Sequence, residues 1–192
     1  MSTVLILRHG ESTWNREHRW QGWLDAPLTP AGEEQAAERA RRLAHDGFRP
    51  RVVYTSDLAR AARSAQIIAA HVEVPVVADA GFRERNGGDW QGCTIAEIDE
   101  RWPGERERWR RRELAAPPGG EEDHAVLTRF DAALTRAIAH VGDGLLCVVT
   151  HHGALRLVAT RAGAQVDAII PNLGGFWFDA VDGELRDPRP VE

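Results

Sequence analysis

Two uninterrupted apolar runs constrain this chain more than any other feature: Val4-Leu5-Ile6-Leu7 near its start and Leu145-Leu146-Cys147-Val148-Val149 near its end. A strand with one wet face alternates apolar and polar residues, whereas a run without polar interruption fits a strand buried on both faces. Strands of that kind belong to sheets covered by helices on each side. The sequence between the runs agrees. Thr29 and Pro30 mark a helix start, as N-cap and first helical residue, for a segment that ends near Gly47. Residues 51–55 read as a second strand, 58–72 as the next helix, and Val76-Val77 as a third, brief strand. Thr94 and Glu97 form a capping box for a helix reaching about Trp102. Pro103-Gly104 break it before a further short helix over 105–114. After the Pro117-Pro118-Gly119-Gly120 loop, helices are expected over 123–140 and 154–162. Residues 175–179 and 184–186, around Asp182-Gly183, predict a terminal hairpin, with residues 187–192 left as a proline-containing stub. The fold class is therefore α/β. We expect a single three-layer α/β/α domain over residues 1–192 with a mostly parallel, mixed central sheet.

Composition narrows the function. With 43% hydrophobic and 28% charged residues, the chain is no disordered or low-complexity segment. A net charge of -5 argues against a nucleic-acid partner and against a membrane surface. All 24 residues counted as Lys or Arg are Arg, which excludes Schiff-base and P-loop lysine chemistry. Cys93 and Cys147 sit in unlike contexts, so no disulfide is expected. The first apolar run is too short for a signal peptide, and no later stretch reads as a membrane span. A cytoplasmic location is the expectation.

In doubly wound sheets, functional groups gather at the carboxyl ends of the strands. The first apolar run ends at Arg8-His9-Gly10 and the last at Thr150-His151-His152-Gly153. The strand over 51–55 leads through Ser56 into the helix carrying Arg60. A lone His-Gly after a strand is usually only a turn; two of them, with an arginine in place, carry more weight. If they converge, two guanidiniums and two imidazoles form a pocket for a doubly charged tetrahedral oxyanion, and phosphate is the natural candidate. Zinc fits less well. His151 and His152 point to opposite faces if the strand continues, and neither cysteine lies in a metal-ligand pair. No metal and no cofactor are expected.

The segment Leu7-Arg8-His9-Gly10-Glu11-Ser12-Thr13-Trp14-Asn15 resembles the signature of the histidine phosphatase superfamily, in its phosphoglycerate-mutase-like branch. The similarity continues through Gln21-Gly22, Leu28-Thr29-Pro30-Ala31-Gly32 and Ser56-Asp57-Leu58-Ala59-Arg60-Ala61. It then takes in Glu84 with Gly88-Asp89-Trp90-Gln91-Gly92, Pro118-Gly119-Gly120-Glu121, and Thr150-His151-His152-Gly153-Ala154-Leu155-Arg156. These blocks span nearly the whole chain in the family's order.

The resemblance implies a phosphoglycerate-mutase-like fold and a covalent mechanism. His9 would take the phosphoryl group and become phosphohistidine; Arg8, Arg60 and His151 would bind its oxygens. Glu84 would protonate the departing alkoxide and then activate water. Asn15, Gln21 and Gly22 would lie against the phosphate. Three positions depart from the pattern. His152 stands where glycine is usual, as an added substrate contact or an outward-turned side chain. Ser64 replaces threonine, and Glu122 follows Gly120-Glu121 where serine is frequent.

The implied partner is a small-molecule phosphomonoester, and the family allows a homodimer. The expected reaction is metal-independent hydrolysis. The alternatives are a 2,3-bisphosphoglycerate-dependent phosphoglycerate mutase and a non-catalytic phospho-ligand-binding domain. Mutases of the family carry a long insertion between the acid and the second histidine, and a C-terminal tail. Here Glu84 and His151 lie 67 positions apart, which favours hydrolysis. Residues 84–92 and the Pro-Gly-Gly-Glu segment look like those of phosphatases acting on phosphorylated glycerate or its glycosides. Trp14, Trp20, Trp23 and Trp90 flank the motifs; core packing is the expectation for any one of them, with walling of the pocket as the alternative for some. The Arg106–Arg112 region, interleaved with glutamates, reads as a solvated helix face. The resemblance places it near the site entrance, with guidance of an anionic substrate as the alternative.

Overall fold

A computed structural model describes residues 2–191. They form six strands: β1 (Ser2–Arg8), β2 (Val53–Thr55), β3 (Val76–Ala78), β4 (Leu145–Thr150), β5 (Gly175–Val181) and β6 (Glu184–Pro190). The helices are α1 (Thr13–Arg16), α2 (Pro30–His45), α3 (Ala59–Val72), α4 (Ile95–Arg101), α5 (Glu105–Arg110), α6 (Asp123–Val141) and α7 (His152–Arg161). The strands make one sheet in the order β3-β2-β4-β1-β5-β6. Neighbours from β3 to β1 pair in parallel, and β5 runs antiparallel to both β1 and β6. This is the mixed α/β sheet that the apolar runs imply.

Those runs lie side by side at its centre, and successive residues serve opposite faces. Val4, Ile6, Leu146 and Val148 pack with Phe130 and Leu134 of α6 and Leu155 and Val158 of α7. Leu5, Leu7, Cys147 and Val149 pack against α2 and α3 on the other face. There, Ala36, Ala40, Ala61 and Ala65 are small enough to bring the two helices close. Both faces are dry, so an uninterrupted apolar strand is what each position requires. A third, smaller cluster gathers Trp90, Cys93 and Ile98 with Trp20, Trp102 and Trp109.

Several element ends differ from expectation. The second strand begins at Val53, two residues later than the apolar pattern suggests. α5 stops at Arg110 because Arg112 turns into the left-handed region, φ 61°. α7 starts at His152, two residues early, with His151 as its N-cap. Residues 187–190 are no stub: they continue β6, with Pro190 opposite Phe176 and Arg189 opposite Trp177. An edge strand tolerates proline because one row of its N–H groups has no ladder to join.

Candidate active site

Sheet register assembles the site. Arg8 pairs with Thr150 across β1 and β4, so the next residues, His9 and His151, leave the sheet together. Their rings meet edge to face, centroids 5.1 Å apart. On the far side of β4, Thr55 pairs with Val149, and Ser56 turns the chain into α3, whose second residue is Arg60. Arg8, His9, Arg60 and His151 are all buried, at 8%, 3%, 1% and 0% exposure. The predicted convergence is present.

Each arginine is anchored at one end. Arg8 donates from Nη1 to the Ile170 carbonyl at 2.6 Å. Arg60 donates from Nη2 to the Gly22 carbonyl at 2.7 Å and from Nη1 to that of Leu24 at 2.9 Å. The Nε of each has no partner. Among the described residues, six buried side-chain polar atoms lack a protein partner, and five belong to Arg8, Arg60, His151 and His152. The sixth is Trp90 Nε1. An unpaired buried polar group costs about 1–3 kcal/mol, so native structures hold few. Their concentration here makes a set of donors suited to an oxyanion.

The nucleophilic nitrogen is defined by a neighbour. His9 Nδ1 lies 2.6 Å from the Gly10 carbonyl oxygen, which can only accept. Nδ1 therefore carries the proton, and Nε2 of the neutral ring keeps its lone pair. Burial, then the charges of Arg60 and Arg8, hold the His9 imidazole well below its ordinary range. Burial, then Arg60 and His9, do the same to His151. Both rings are neutral in the folded chain near pH 7.

A stability prediction follows from the sign of these shifts. Once unfolded, the two histidines take up protons near their ordinary 6.5, while the folded rings refuse them until well below it. Between those limits the unfolded state binds more protons, so stability falls as the pH drops. The slope approaches about 1.4 kcal/mol per pH unit for each ring. Urea unfolding at about pH 7.5, 6.5 and 5.5 checks this; stability unchanged across that window would contradict it.

Glu84 reaches the cluster from a loop. Its carboxylate accepts from Gly153 N–H at 2.8 Å on Oε2, and from Ala154 N–H at 3.0 Å and Arg85 N–H at 2.8 Å on Oε1. It thus caps the first turn of α7, directly beside His151 and His152. Gly153 is the residue this arrangement demands, because a Cβ there would come within 2.5 Å of Glu84 Oε1. The colliding atom is the end of a flexible side chain. Gly153→Ala is therefore expected to leave thermal stability nearly unchanged while displacing the carboxylate. Turnover of an alkyl phosphomonoester should fall by about tenfold or more. Wild-type turnover by a well-folded variant would show that the carboxylate's place is unimportant.

The other expected site residues are placed as follows. Asn15 completes a capping box with Ser12, taking the Ser12 N–H on its amide oxygen at 3.1 Å. Ser12 Oγ donates to Gln21 Oε1 at 2.8 Å. Both amide oxygens are occupied, and the NH2 ends remain as donors. Gly22 faces Arg60 with its carbonyl, and its φ of 53° with Gln91 pressed against it leaves no room for a side chain. His152, half-buried, keeps an unpartnered Nδ1; burial above all lowers its imidazole from the ordinary range, with the Glu84 charge opposing the shift and Arg8 adding to it. His151, not His152, is the ring against His9.

Other contributors had no such role assigned from the sequence, although Ser64 and Trp23 were noted there. Ser64 Oγ accepts the Gly10 N–H at 3.0 Å, and Asn172 Nδ2 donates to the His9 carbonyl at 2.9 Å. Trp23 is more than core packing, since its Nε1 donates to the Glu84 carbonyl at 2.7 Å. A cleft of about 340 Å³ opens beside Arg8 and Asn15, walled by Trp14, Ile95, Ile169 and Asn172. A larger one, about 870 Å³, lies away from the site between the end of α2 and the β5–β6 edge. Among the described residues, no group of three His, Cys, Asp or Glu side chains is arranged to hold a metal ion. No helix there is long and apolar enough to cross a membrane.

The profile of the histidine phosphatase superfamily (branch 1) matches residues 4–171, which include every member of this cluster. The chain belongs to that superfamily. It is 42% identical over its full length to a 2,3-bisphosphoglycerate-dependent phosphoglycerate mutase of Thermobifida fusca, covering 72% of it. It is 36% identical to a glucosyl-3-phosphoglycerate phosphatase of Mycolicibacterium vanbaalenii, over 90% of this chain and 79% of that one. Among solved structures it resembles a mycobacterial glucosyl-3-phosphoglycerate phosphatase complexed with VO3. There the TM-score is 0.84 at 30% identity, covering all of this chain and 98% of that one. It resembles YhfR of Bacillus stearothermophilus with a TM-score of 0.86 at 28% identity, covering 97% and 95% of the two chains. The superfamily membership and the fold agree with the motifs read from the sequence.

Proposed function

We propose that this member of the histidine phosphatase superfamily hydrolyses small phosphomonoesters through a phosphohistidine on His9. The observation that carries the reading is the set of unpartnered nitrogens on Arg8, Arg60 and His151 around a neutral His9 with a free Nε2. In the first step Nε2 attacks phosphorus and the ester P–O bond breaks. Arg8, Arg60 and His151 hold the three equatorial oxygens as charge redistributes over them. Glu84 gives the leaving alkoxide a proton. Its Oε2 accepts one backbone N–H where Oε1 accepts two, so Oε2 is the oxygen with a site for that proton. In the second step Glu84 takes a proton from water, the hydroxide attacks the phosphoryl group, the N–P bond breaks, and inorganic phosphate leaves with His9 neutral again. The arginines supply the positive charge that phosphoryl transfer needs.

Transfer to a second substrate position is the competing reading, favoured by the mutase relative. A mutase must keep water from the phosphohistidine while the intermediate turns over. Between Glu84 and His151 the chain builds short helices, one loop, α6 and β4, with no long insertion to cover the site. Hydrolysis of 3-phosphoglycerate-like monoesters is the reading we adopt, and the phosphatase relatives support that substrate class.

Purified protein incubated with such an ester should release inorganic phosphate faster than it forms the 2-phospho isomer in the presence of bisphosphoglycerate. The activity should survive EDTA and be blocked by vanadate, which mimics the five-coordinate phosphoryl group. Isomerisation well above phosphate release would establish the mutase instead. Loss in EDTA with recovery on adding a divalent ion would remove the mechanism.

A further inference from the structure

We propose that Arg129 and Trp23 are positioning residues that aim the Glu84 carboxylate by gripping the peptide unit between Glu84 and Arg85. The proposal rests on the reading of Glu84 as the proton-transfer group. That peptide is planar and trans, so its C=O and N–H point in opposite directions. On one side, the Arg85 N–H donates to Glu84 Oε1 at 2.8 Å. On the other, the Glu84 carbonyl takes two donors, Trp23 Nε1 and Arg129 Nη2, each at 2.7 Å. Fixing the carbonyl therefore fixes the direction of the N–H, and with it the carboxylate that the N–H holds.

Arg129 lies on α6, and its guanidinium serves the whole acid-bearing loop. Its Nη1 donates to the carbonyls of Gly81 at 2.9 Å and Arg83 at 2.7 Å. Its remaining donors pair with both carboxylate oxygens of Glu121, each at 2.9 Å. Glu121 in turn accepts the Asn86 N–H at 2.8 Å, and its own N–H donates to the Asn86 carbonyl at 2.9 Å. One half-buried ion pair thus grips residues 81–86 from both sides. Trp23 ties this loop to the phosphate side, because its neighbours Gly22 and Leu24 offer the carbonyls that anchor Arg60. The indole also lies under two guanidiniums, with Arg83 at 5.0 Å and Arg129 at 5.9 Å from its centre.

A positioning role makes a prediction that simple destabilisation does not. An acid matters most when the leaving alkoxide is poor and little when it is stable. The test compares kcat/KM on an alkyl phosphomonoester and on p-nitrophenyl phosphate for Arg129→Met, Arg129→Lys, Trp23→Phe and Glu84→Gln. This ratio reports phosphoryl transfer to His9, where the leaving group departs, and excludes the water step that both esters share. Glu84→Gln and Arg129→Met should each slow the alkyl ester by about 100-fold and p-nitrophenyl phosphate by less than about fivefold. Arg129→Lys should recover part of the alkyl activity, and Trp23→Phe, which keeps an aromatic ring but loses the N–H and part of the indole, should lose about five- to tenfold on the alkyl ester alone. If Arg129→Met does not fold, Trp23→Phe decides. Selective loss in Glu84→Gln with equal losses on both esters, or none, in the folded Trp23 and Arg129 variants would overturn the positioning role. Equal losses on both esters in Glu84→Gln would overturn the reading of Glu84, and the proposal with it.

Discussion

Replacement of His9 by alanine should lower phosphomonoester turnover by about 10⁵- to 10⁶-fold, the scale seen when a covalent nucleophile is removed. Arginines and His151 can still bind a phosphate, so binding of inorganic phosphate should persist while chemistry stops. The fold should survive. The imidazole bonds only to the adjoining Gly10 carbonyl and touches His151, so its loss removes packing and no long-range hydrogen bond. Acid sensitivity should shrink as well, because one of the two rings that resist protonation is gone. Phosphate release and thermal melting on the same preparation check both halves. Turnover within about tenfold of wild type would move the nucleophile elsewhere.

Arg60→Met should lower kcat by about 10²- to 10³-fold, the scale set by removing one oxyanion donor from a preorganised site. Arg60 is 1% exposed, and burial above all pulls its guanidinium down to about 10, still charged at neutral pH. The residue acts twice. Its unpartnered Nε faces the role of oxyanion donor, and its charge is the largest electrostatic influence keeping His9 and His151 neutral. Removing it raises both imidazoles toward their ordinary range, so the acid limb of kcat/KM should move to higher pH. Comparing variant and wild type on one substrate cancels the ester's own ionisation. Arg60→Lys should rescue little, since an ammonium cannot span the Gly22 and Leu24 carbonyls and still offer a donor to phosphate. A full rate with an unmoved acid limb in Arg60→Met would contradict this division of labour.

How legible these features were in the sequence depended on their range. Val4-Leu7 and Leu145-Val149 revealed doubly buried strands because every position meets a helix, a requirement written into each residue. Thr29 with Pro30, and Thr94 with Glu97, announced helix starts through chemistry confined to one turn, and both are N-terminal caps in the fold. The one-turn helix α1 left no such trace, since four residues show no period. Its Ser12–Asn15 capping box uses asparagine where the usual pattern has Glu or Gln. Pro188 and Pro190 concealed the end of β6 because proline argues against a strand everywhere except at an edge.

The site shows the same division. Arg8, His9 and His151 were readable as strand-end residues and Arg60 as a residue of the helix after a strand, and the resemblance brought in Glu84. What Glu84 rests on was not readable. Its partners Gly153 and Ala154 lie about 70 positions away and contribute backbone N–H groups, which carry no sequence signature. Arg129 looked like any charged residue of an amphipathic helix, and Trp23 like any aromatic near a motif. Only the fold shows that both end on one carbonyl.

The most direct test of the covalent mechanism is rapid quenching of the enzyme with a phosphomonoester labelled in its phosphoryl group, followed by peptide mapping. The expected result is an acid-labile, base-stable label on His9 that chases into inorganic phosphate at the rate of turnover. Phosphate release without labelled protein, or a label mapped to His152 or any other residue, would contradict it.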